Sequence, residues 1–364
     1  MPTGSLPLLA PLLLLLLLSA GSDAMAEERV LIRPEGTASQ IAVRGKIVDY
    51  TGESVTILTG VGNVTKTYPI DSIVQVEMQR HPLHTEGAKL LAEGKINEAT
   101  IALLQAHQQE PRQWVRREIL ALLVEAGLRS GDLASAASRF SALYQSDPTT
   151  RHVRLIPLTW SDQTTDPAGE HVAAAASQAR RWLTSRVSIE RLMGASLLLT
   201  SPVEGASAAA VMEDLARDAV PTIHLLARAQ QWRVRLASGQ LTRGEASRWE
   251  ARVEEMPSVL RAGPYFLVGQ AYLQLREFEQ AASAFLRLPT VHPERYHLAA
   301  EGCLKAGDAL WQIGQRIPAI RLYQEVVQRF PESTAAATAR STLASTSAEV
   351  ESSTGVDFRI DSTK

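Results

Sequence analysis

Two stretches near the C-terminus share one spacing of small and aromatic residues. YFLVGQAYLQLREFEQAASAFLRLPTVHP spans residues 265–293, and CLKAGDALWQIGQRIPAIRLYQEVVQRFP spans residues 303–331. In the first stretch the marker residues follow at steps of 3, 9, 4 and 8: Gly269, Tyr272, Ala281, Phe285 and Pro293. The same steps recur in the second, at Gly307, Leu310, Ala319, Tyr323 and Pro331. Small residues let two helices cross closely, and proline stops the second helix. The spacing therefore predicts two consecutive antiparallel helical hairpins.

This spacing resembles that of the tetratricopeptide repeat family. A similar pattern occurs earlier, at Gly87, Leu91, Ala99, Leu103 and Pro111. A looser unit follows and ends at Pro148, but its first helix lacks the small residue at the expected place. The predicted fold class is mainly α: an α-solenoid of tetratricopeptide-like hairpins preceded by a small β-barrel or sheet. The predicted repeats occupy residues 81–148 and, with a capping helix, residues 264–350.

Residues 149–263 keep helical periodicity but lose the repeat spacing. Pro221 and the capping pattern from Thr242 to Glu245 each predict a helix start. We expect either degenerate repeats in the same solenoid or a separate helical bundle. Six arginines here alternate with glutamates, which is typical of a solvated, salt-bridged face: Arg228, Arg233, Arg235, Arg243, Arg248 and Arg252.

Residues 27–80 change to short alternating runs rich in Val, Ile, Thr and Tyr, which predict a small β module. The stretch RGKIVDYTGESVTIL, residues 44–58, and the later YPIDSIVQVE are similar to SH3-like and Sm-like barrels. Sm-like modules often bind RNA, but base-contacting residues are not recognisable here. The net charge of −2 gives no electrostatic support for nucleic-acid binding. An adaptor or docking module is therefore favoured, with no nucleic-acid partner.

The N-terminus has a leucine-rich run from Leu6 to Ala20, followed by the small-x-small pattern Ala24-Met25-Ala26. We interpret residues 1–26 as a signal peptide, with an uncleaved anchor as the alternative because no Lys or Arg precedes the run. Export is expected in either case. The sequence Phe330-Pro331-Glu332-Ser333 resembles the endings of repeat proteins of the bacterial cell envelope, which implies a periplasmic or envelope location. The polar residues 351–364 are expected to be a disordered tail.

Motifs for nucleotide binding, metal hydrolysis or serine catalysis do not occur in the sequence. No catalytic residue, metal or cofactor is predicted, and the only cysteine, Cys303, is interpreted as a buried apolar residue. The chain is thus expected to be a noncatalytic scaffold that binds protein partners. The alternative is an enzyme or enzyme subunit whose site in residues 149–263 would gather Asp162, His171, Glu190, Arg191 or His224.

The resemblance also implies which residues face a peptide. In tetratricopeptide solenoids the first helix of each hairpin lines a concave groove. The matching positions are Phe266, Gln270, Leu273 and Gln274 in one repeat, and Lys305, Asp308, Trp311 and Gln312 in the next. Glu125, Leu128 and Arg129 are their counterparts near the N-terminus. The alternative for Phe266 and Trp311 is burial between helices. The family's Lys and Asn carboxylate clamp is missing, so chaperone tails are not the expected ligand.

Overall fold

The computed structural model describes residues 28–60, 62–161 and 171–354. The predicted signal peptide and residues 355–364 of the predicted tail lie outside this part of the chain. The described residues confirm the predicted fold class, because a five-stranded antiparallel sheet precedes a long series of helices. None of the described helices is both long and apolar enough to cross a membrane.

The sheet has the strand order β4-β3-β2-β1-β5, and every neighbouring pair is antiparallel. A short 3-10 turn, Ile70–Ser72, precedes the last strand. Alternate apolar residues of one face are buried, as the period of two residues requires. The strands are β1 (Glu28–Ile32), β2 (Ile41–Tyr50), β3 (Ser54–Thr59), β4 (Thr65–Pro69) and β5 (Ile73–Glu77).

Fourteen α-helices follow within the described residues. The N-terminal set is α1 (Pro82–Ala92), α2 (Ile96–Gln109), α3 (Gln113–Ser130) and α4 (Leu133–Ser146). The middle set is α5 (Val172–Trp182), α6 (Ser188–Leu198), α7 (Gly205–Leu215), α8 (Pro221–Ala237) and α9 (Arg243–Glu255). The C-terminal set is α10 (Ala262–Gln274), α11 (Phe278–Val291), α12 (Tyr296–Gln312), α13 (Arg316–Arg329) and α14 (Thr334–Thr354).

The sheet and the first repeats share one hydrophobic core. Val30, Ile47 and Ile57 of the sheet belong to the same buried cluster as Trp114 and Ile119 of α3. The Trp114 indole Nε1 donates a hydrogen bond to the Ile47 carbonyl at 3.2 Å. The predicted boundary at residue 80 is therefore a change of secondary structure, across which the packing is continuous.

Glycines on the first helices set the close crossings of the hairpins. A Cβ placed on Gly269 would lie 2.6 Å from the Phe285 ring, and one on Gly307 would lie 2.6 Å from the Tyr323 ring. Gly87 stands in the same relation to Leu103, also at 2.6 Å. Each glycine thus contacts the residue 16 positions later, on the second helix. These contacts are the physical reason for the spacing seen in the sequence.

The middle helices continue the same stack. One buried cluster runs from Ala121 in α3 to Ala339 in α14 and includes residues of α5 to α9. Large side chains fill this part of it, and the Trp232 and Trp249 rings stack with centroids 4.9 Å apart. The helices of this region therefore share one buried cluster with the hairpins on either side.

Arg233 departs from the solvated face that the sequence predicts for the arginines of α8 and α9. It is only 5 % exposed, and its Nη1 donates to the Ser196 carbonyl at 2.7 Å and to the Gln230 side chain at 3.1 Å. Gln230 in turn donates to the Thr159 carbonyl at 3.0 Å. Helical periodicity could not separate this buried arginine from exposed neighbours such as Arg248.

Candidate functional site

The predicted groove positions on α10 have different exposures. Phe266 is fully buried and packs edge-to-face against Phe285, so its side chain cannot contact a bound peptide. Gln270 and Leu273 are half-buried, and Gln274 is exposed. For Phe266 the structure matches the alternative of burial between helices.

The predicted positions on α12 are mostly accessible but already make contacts. Lys305 lies 3.7 Å from the Glu301 carboxylate, and Asp308 accepts a hydrogen bond of 2.9 Å from the Tyr323 hydroxyl. Trp311 is half-buried, with the Arg316 guanidinium 4.6 Å from its ring centroid. Gln312 is exposed.

A cavity of about 550 Å³, called the chamber below, lies where α3, α5, α6 and α12 converge. The N-terminal counterparts of the groove positions, Glu125, Leu128 and Arg129, all line it. Its apolar wall is formed by Leu128, Leu133, Leu158, Val172, Leu197 and Leu198. Its volume falls in the range of pockets that bind ligands in proteins.

One side of the chamber is closed by contacts between the second N-terminal hairpin and the last hairpin. The His297 Nε2 on α12 donates to the Arg129 carbonyl at the end of α3, at 2.8 Å. The Arg129 guanidinium lies 4.8 Å from the Tyr296 ring centroid and 3.4 Å from the Glu332 carboxylate. An N-terminal hairpin and the C-terminal hairpin therefore meet on one side of the chamber.

The Arg295 side chain lines the chamber and contacts the segment between α4 and α5, called the connector below. Its Nη1 donates to the Arg154 carbonyl at 2.9 Å and to the Ile156 carbonyl at 3.1 Å. Burial lowers the pKa of Arg295 to about 10, against the opposing effect of the nearby Glu294. The guanidinium is still charged at neutral pH, so the chamber wall carries a positive charge held by carbonyl oxygens.

A second cavity of about 370 Å³, called the cleft below, lies between α1, α3 and the connector. Its charged and imidazole side chains include Arg80, His84, Glu118, His152 and Arg154. Glu125 lines both the cleft and the chamber. The two cavities therefore adjoin at Glu125, and together we call them the trough.

The pKa values of two glutamates of α3 that line the trough are shifted in opposite directions. Burial acts to raise the pKa of Glu118, but hydrogen bonds from His152, at 3.2 Å, and Arg151 outweigh it and hold the pKa at about 2. Burial raises the pKa of Glu125, and the charges of Arg129 and Arg154 offset this only in part. Glu118 is thus a fixed, paired anion, whereas Glu125 is a poorly solvated carboxylate.

His84, at the floor of the cleft, is 3 % exposed. Burial lowers its pKa, so it is neutral at pH 7. Its Nδ1 has no hydrogen-bond partner among the described residues. A neutral imidazole thus lines the cleft together with Arg80 and Glu118.

The residues of the enzyme alternative do not converge in the described part of the chain. Glu190 accepts hydrogen bonds from Ser141 and Ser185, both at 2.6 Å, whereas Arg191 pairs with Asp214 at 2.5 Å. His171 lines the chamber, and His224 lies on α8 away from it. Asp162 lies outside the described residues.

Cys303 is fully buried in α12, and burial raises the pKa of its thiol to about 12. A thiolate is therefore negligible at neutral pH, and with it any nucleophilic role. In the described ranges, no group of three or more His, Cys, Asp or Glu side chains could hold a metal ion.

Comparison with known families bears on the C-terminal hairpin. Residues 304–333 match the tetratricopeptide repeat model. The matched residues cover α13 and most of α12, including Gly307 and Tyr323 at the close crossing. Proteins that carry this repeat are in general protein-interaction scaffolds, and protein partners are expected here too. No curated protein matches the chain, and no solved structure matches it either.

Proposed function

We propose that the protein is a noncatalytic scaffold that binds a segment of a partner protein in the trough. The observation that carries the proposal is that the chamber and the cleft share Glu125 in their walls and lie along one face of α3, the first helix of a hairpin. First helices line the ligand groove in repeat solenoids. The match of residues 304–333 to the repeat family supports the same role.

The α12 positions predicted from the sequence extend the trough. Glu301 lines the chamber, and Lys305, Asp308 and Gln312 follow it at steps of four, three and four residues. Residues at these steps share one face of a helix. We propose that a bound segment continues along this face past Trp311, while Gln270, Leu273 and Gln274 offer a separate contact surface on α10.

The β module and the cellular location complete the proposal. We propose that the sheet is an SH3-like or Sm-like module used for docking, which the five antiparallel strands and the 3-10 turn before β5 support. We also propose that the chain is exported to the periplasm or cell envelope, on the basis of its leucine-rich N-terminus and small-x-small pattern.

A matched pair of substitutions on α1 tests the trough. Ala88 lines the cleft, whereas Ala92, one turn later, is exposed and lines neither cavity. Partners retained from an extract by the wild type should be retained by Ala92→Trp and lost with Ala88→Trp, which fills the cleft. Equal retention by all three proteins, with equal melting temperatures, would place binding elsewhere. Retention of no partner by the wild type would contradict the scaffold role.

A further inference from the structure

We propose that the trough selects an acidic, extended segment that carries one large apolar side chain. The apolar side chain occupies the chamber, and the acidic residues lie along the cleft. The proposal rests on the proposed function, because it specifies the chemistry of the partner at the same site.

The charged side chains of the trough that are not in ion pairs are mainly positive. Most of its carboxylates already have cationic partners: Glu118 has Arg151 and His152, Glu204 has Arg180 at 2.6 Å, and Glu301 has Lys305 at 3.7 Å. Arg80, Arg154 and Arg295 also line the trough, and none of them makes an ion pair with a carboxylate in the described part of the chain.

Two other carboxylates line the trough, and neither forms an ion pair with these arginines. Glu294 lies 3.6 Å from the His292 Nδ1. Burial acts to raise its pKa, but the hydrogen bond from His292 and the charge of Arg154 lower it overall. Glu125 lies in an environment that disfavours its charged form. A ligand carboxylate would therefore meet guanidinium groups whose planar forks suit bidentate hydrogen bonding.

The chamber supplies the apolar part of the recognition. Its wall brings together aliphatic side chains from six segments of the chain, among them Leu128, Leu158 and Leu197. A cavity of about 550 Å³ is larger than a single aromatic side chain needs, so it also admits the adjoining backbone. Large apolar side chains in such pockets act as the anchors of protein interfaces.

The length of the trough favours a polypeptide over a small molecule. Along α3 it runs from Glu118 to Arg129, a rise of about 16 Å at 1.5 Å per residue. An extended chain of about five residues spans that distance. A segment of this length can place one side chain in the chamber and still reach Arg80 and Arg154 with neighbouring carboxylates.

The test is selection from a random twelve-residue peptide library displayed on phage, with the full chain as the target. We expect enriched peptides to carry several Asp or Glu residues next to one Trp, Phe or Leu. An enriched set without excess acid, an enriched set rich in Lys, or no enrichment over the empty support would each overturn the proposal. If partners still depend on Ala88 while the peptides show no acidic preference, the proposed function stands and this inference fails.

Charge-reversed variants test the arginines. In a chain with Arg80→Glu and Arg154→Glu, the selected acidic peptide should bind at least tenfold more weakly. A chain with Arg116→Glu and Arg321→Glu is the charge-matched control, because both arginines are also exposed and line neither cavity. Equal weakening by this control would mean that the peptide senses only the overall charge, and that result would overturn the proposal.

Substitutions on α5 test the anchor. Ala176 lines the chamber, whereas Ala173 on the same helix is exposed and does not. Selection against Ala176→Trp should lose the large apolar residue and keep the acidic ones, while Ala173→Trp should select as the wild type does. Retention of the apolar residue with Ala176→Trp would place the anchor outside the chamber and contradict the proposal.

Discussion

The hairpins at the two ends of the solenoid and the helices between them are packed in different ways. In α10–α11 and α12–α13 a glycine faces an aromatic ring, Gly269 against Phe285 and Gly307 against Tyr323. In α8–α9 two large rings, Trp232 and Trp249, face each other instead. A glycine contact fixes both the distance between helices and the spacing in sequence. A contact between two large side chains fixes neither. The middle helices therefore pack in the same solenoid without a regular spacing in their sequence.

The largest effect is expected in the middle region. Trp249→Ala removes one of two stacked rings from the core and leaves a cavity, which we expect to cost about 3 kcal/mol of unfolding free energy. Trp249→Phe keeps an aromatic ring and should cost about 1 kcal/mol. Urea unfolding followed by circular dichroism measures both. Equal midpoints for wild type and Trp249→Ala would show that the middle helices are not packed as described.

A glycine substitution probes the end hairpins. Gly307→Ala places a Cβ 2.6 Å from the Tyr323 ring, and we expect the strain to cost about 2 kcal/mol. Gly244→Ala is the control, because its Cβ would meet only the flexible end of Arg248 at 3.6 Å. That change should leave stability unaltered or raise it by a few tenths of a kcal/mol, about what helix propensity gives. Similar melting temperatures for the two variants would show that the glycine contact is not the basis of the repeat spacing.

Glu118 should stabilise the fold in a pH-dependent way. Its pKa of about 2 is below the ordinary value of 4.5, so its contribution is present above pH 4.5 and is lost as the pH falls towards 2. We expect Glu118→Gln to cost about 1.5 kcal/mol at pH 7, the loss of hydrogen bonds to a charged group. The difference from wild type should shrink as the pH is lowered from 5 to 3. A difference that is constant over this range would contradict the assigned ion pair.

Glu125, two turns further along α3, should show the opposite sign and the smallest effect. Because its pKa is raised, the stability that it contributes is present below the unfolded pKa and is lost as the pH rises through the folded one. Glu125→Gln should therefore raise the free energy of unfolding at pH 7 by less than about 1 kcal/mol, which a higher melting temperature would show. At pH 4 the melting temperature should not change. Lower stability of the variant at pH 7 would mean that the Glu125 carboxylate has a partner that the structure does not show.

The sequence was sufficient for the parts of the fold that depend on local pattern. Alternating apolar residues predict the strands, and the glycine spacing predicts the hairpins at both ends. The match at residues 304–333 falls where that spacing is most regular. The second N-terminal hairpin, α3–α4, matches the repeat spacing less well. The buried Val124 lies 16 residues before Phe140, at the position where α1, α10 and α12 have glycine.

The trough could be predicted only in part. Glu125, Leu128 and Arg129 follow from the repeat positions, and all three line the chamber. The wall opposite them comes from contacts over long sequence distances, such as His297 with Arg129 and Arg295 with Arg154. No local periodicity encodes such contacts. Phe266 is another example: its position on the helix predicts that it faces the groove, but packing against Phe285 buries it.

Site-specific photo-crosslinking tests the central claim, that a partner binds in the trough. Benzoylphenylalanine replaces Leu122, which lines the cleft, and in separate proteins it replaces Leu104 on the outer face of α2 and Trp311 on α12. We predict that irradiation links a partner at position 122 and none at position 104. Crosslinks at position 104, or at position 311 but not at position 122, would contradict binding in the trough.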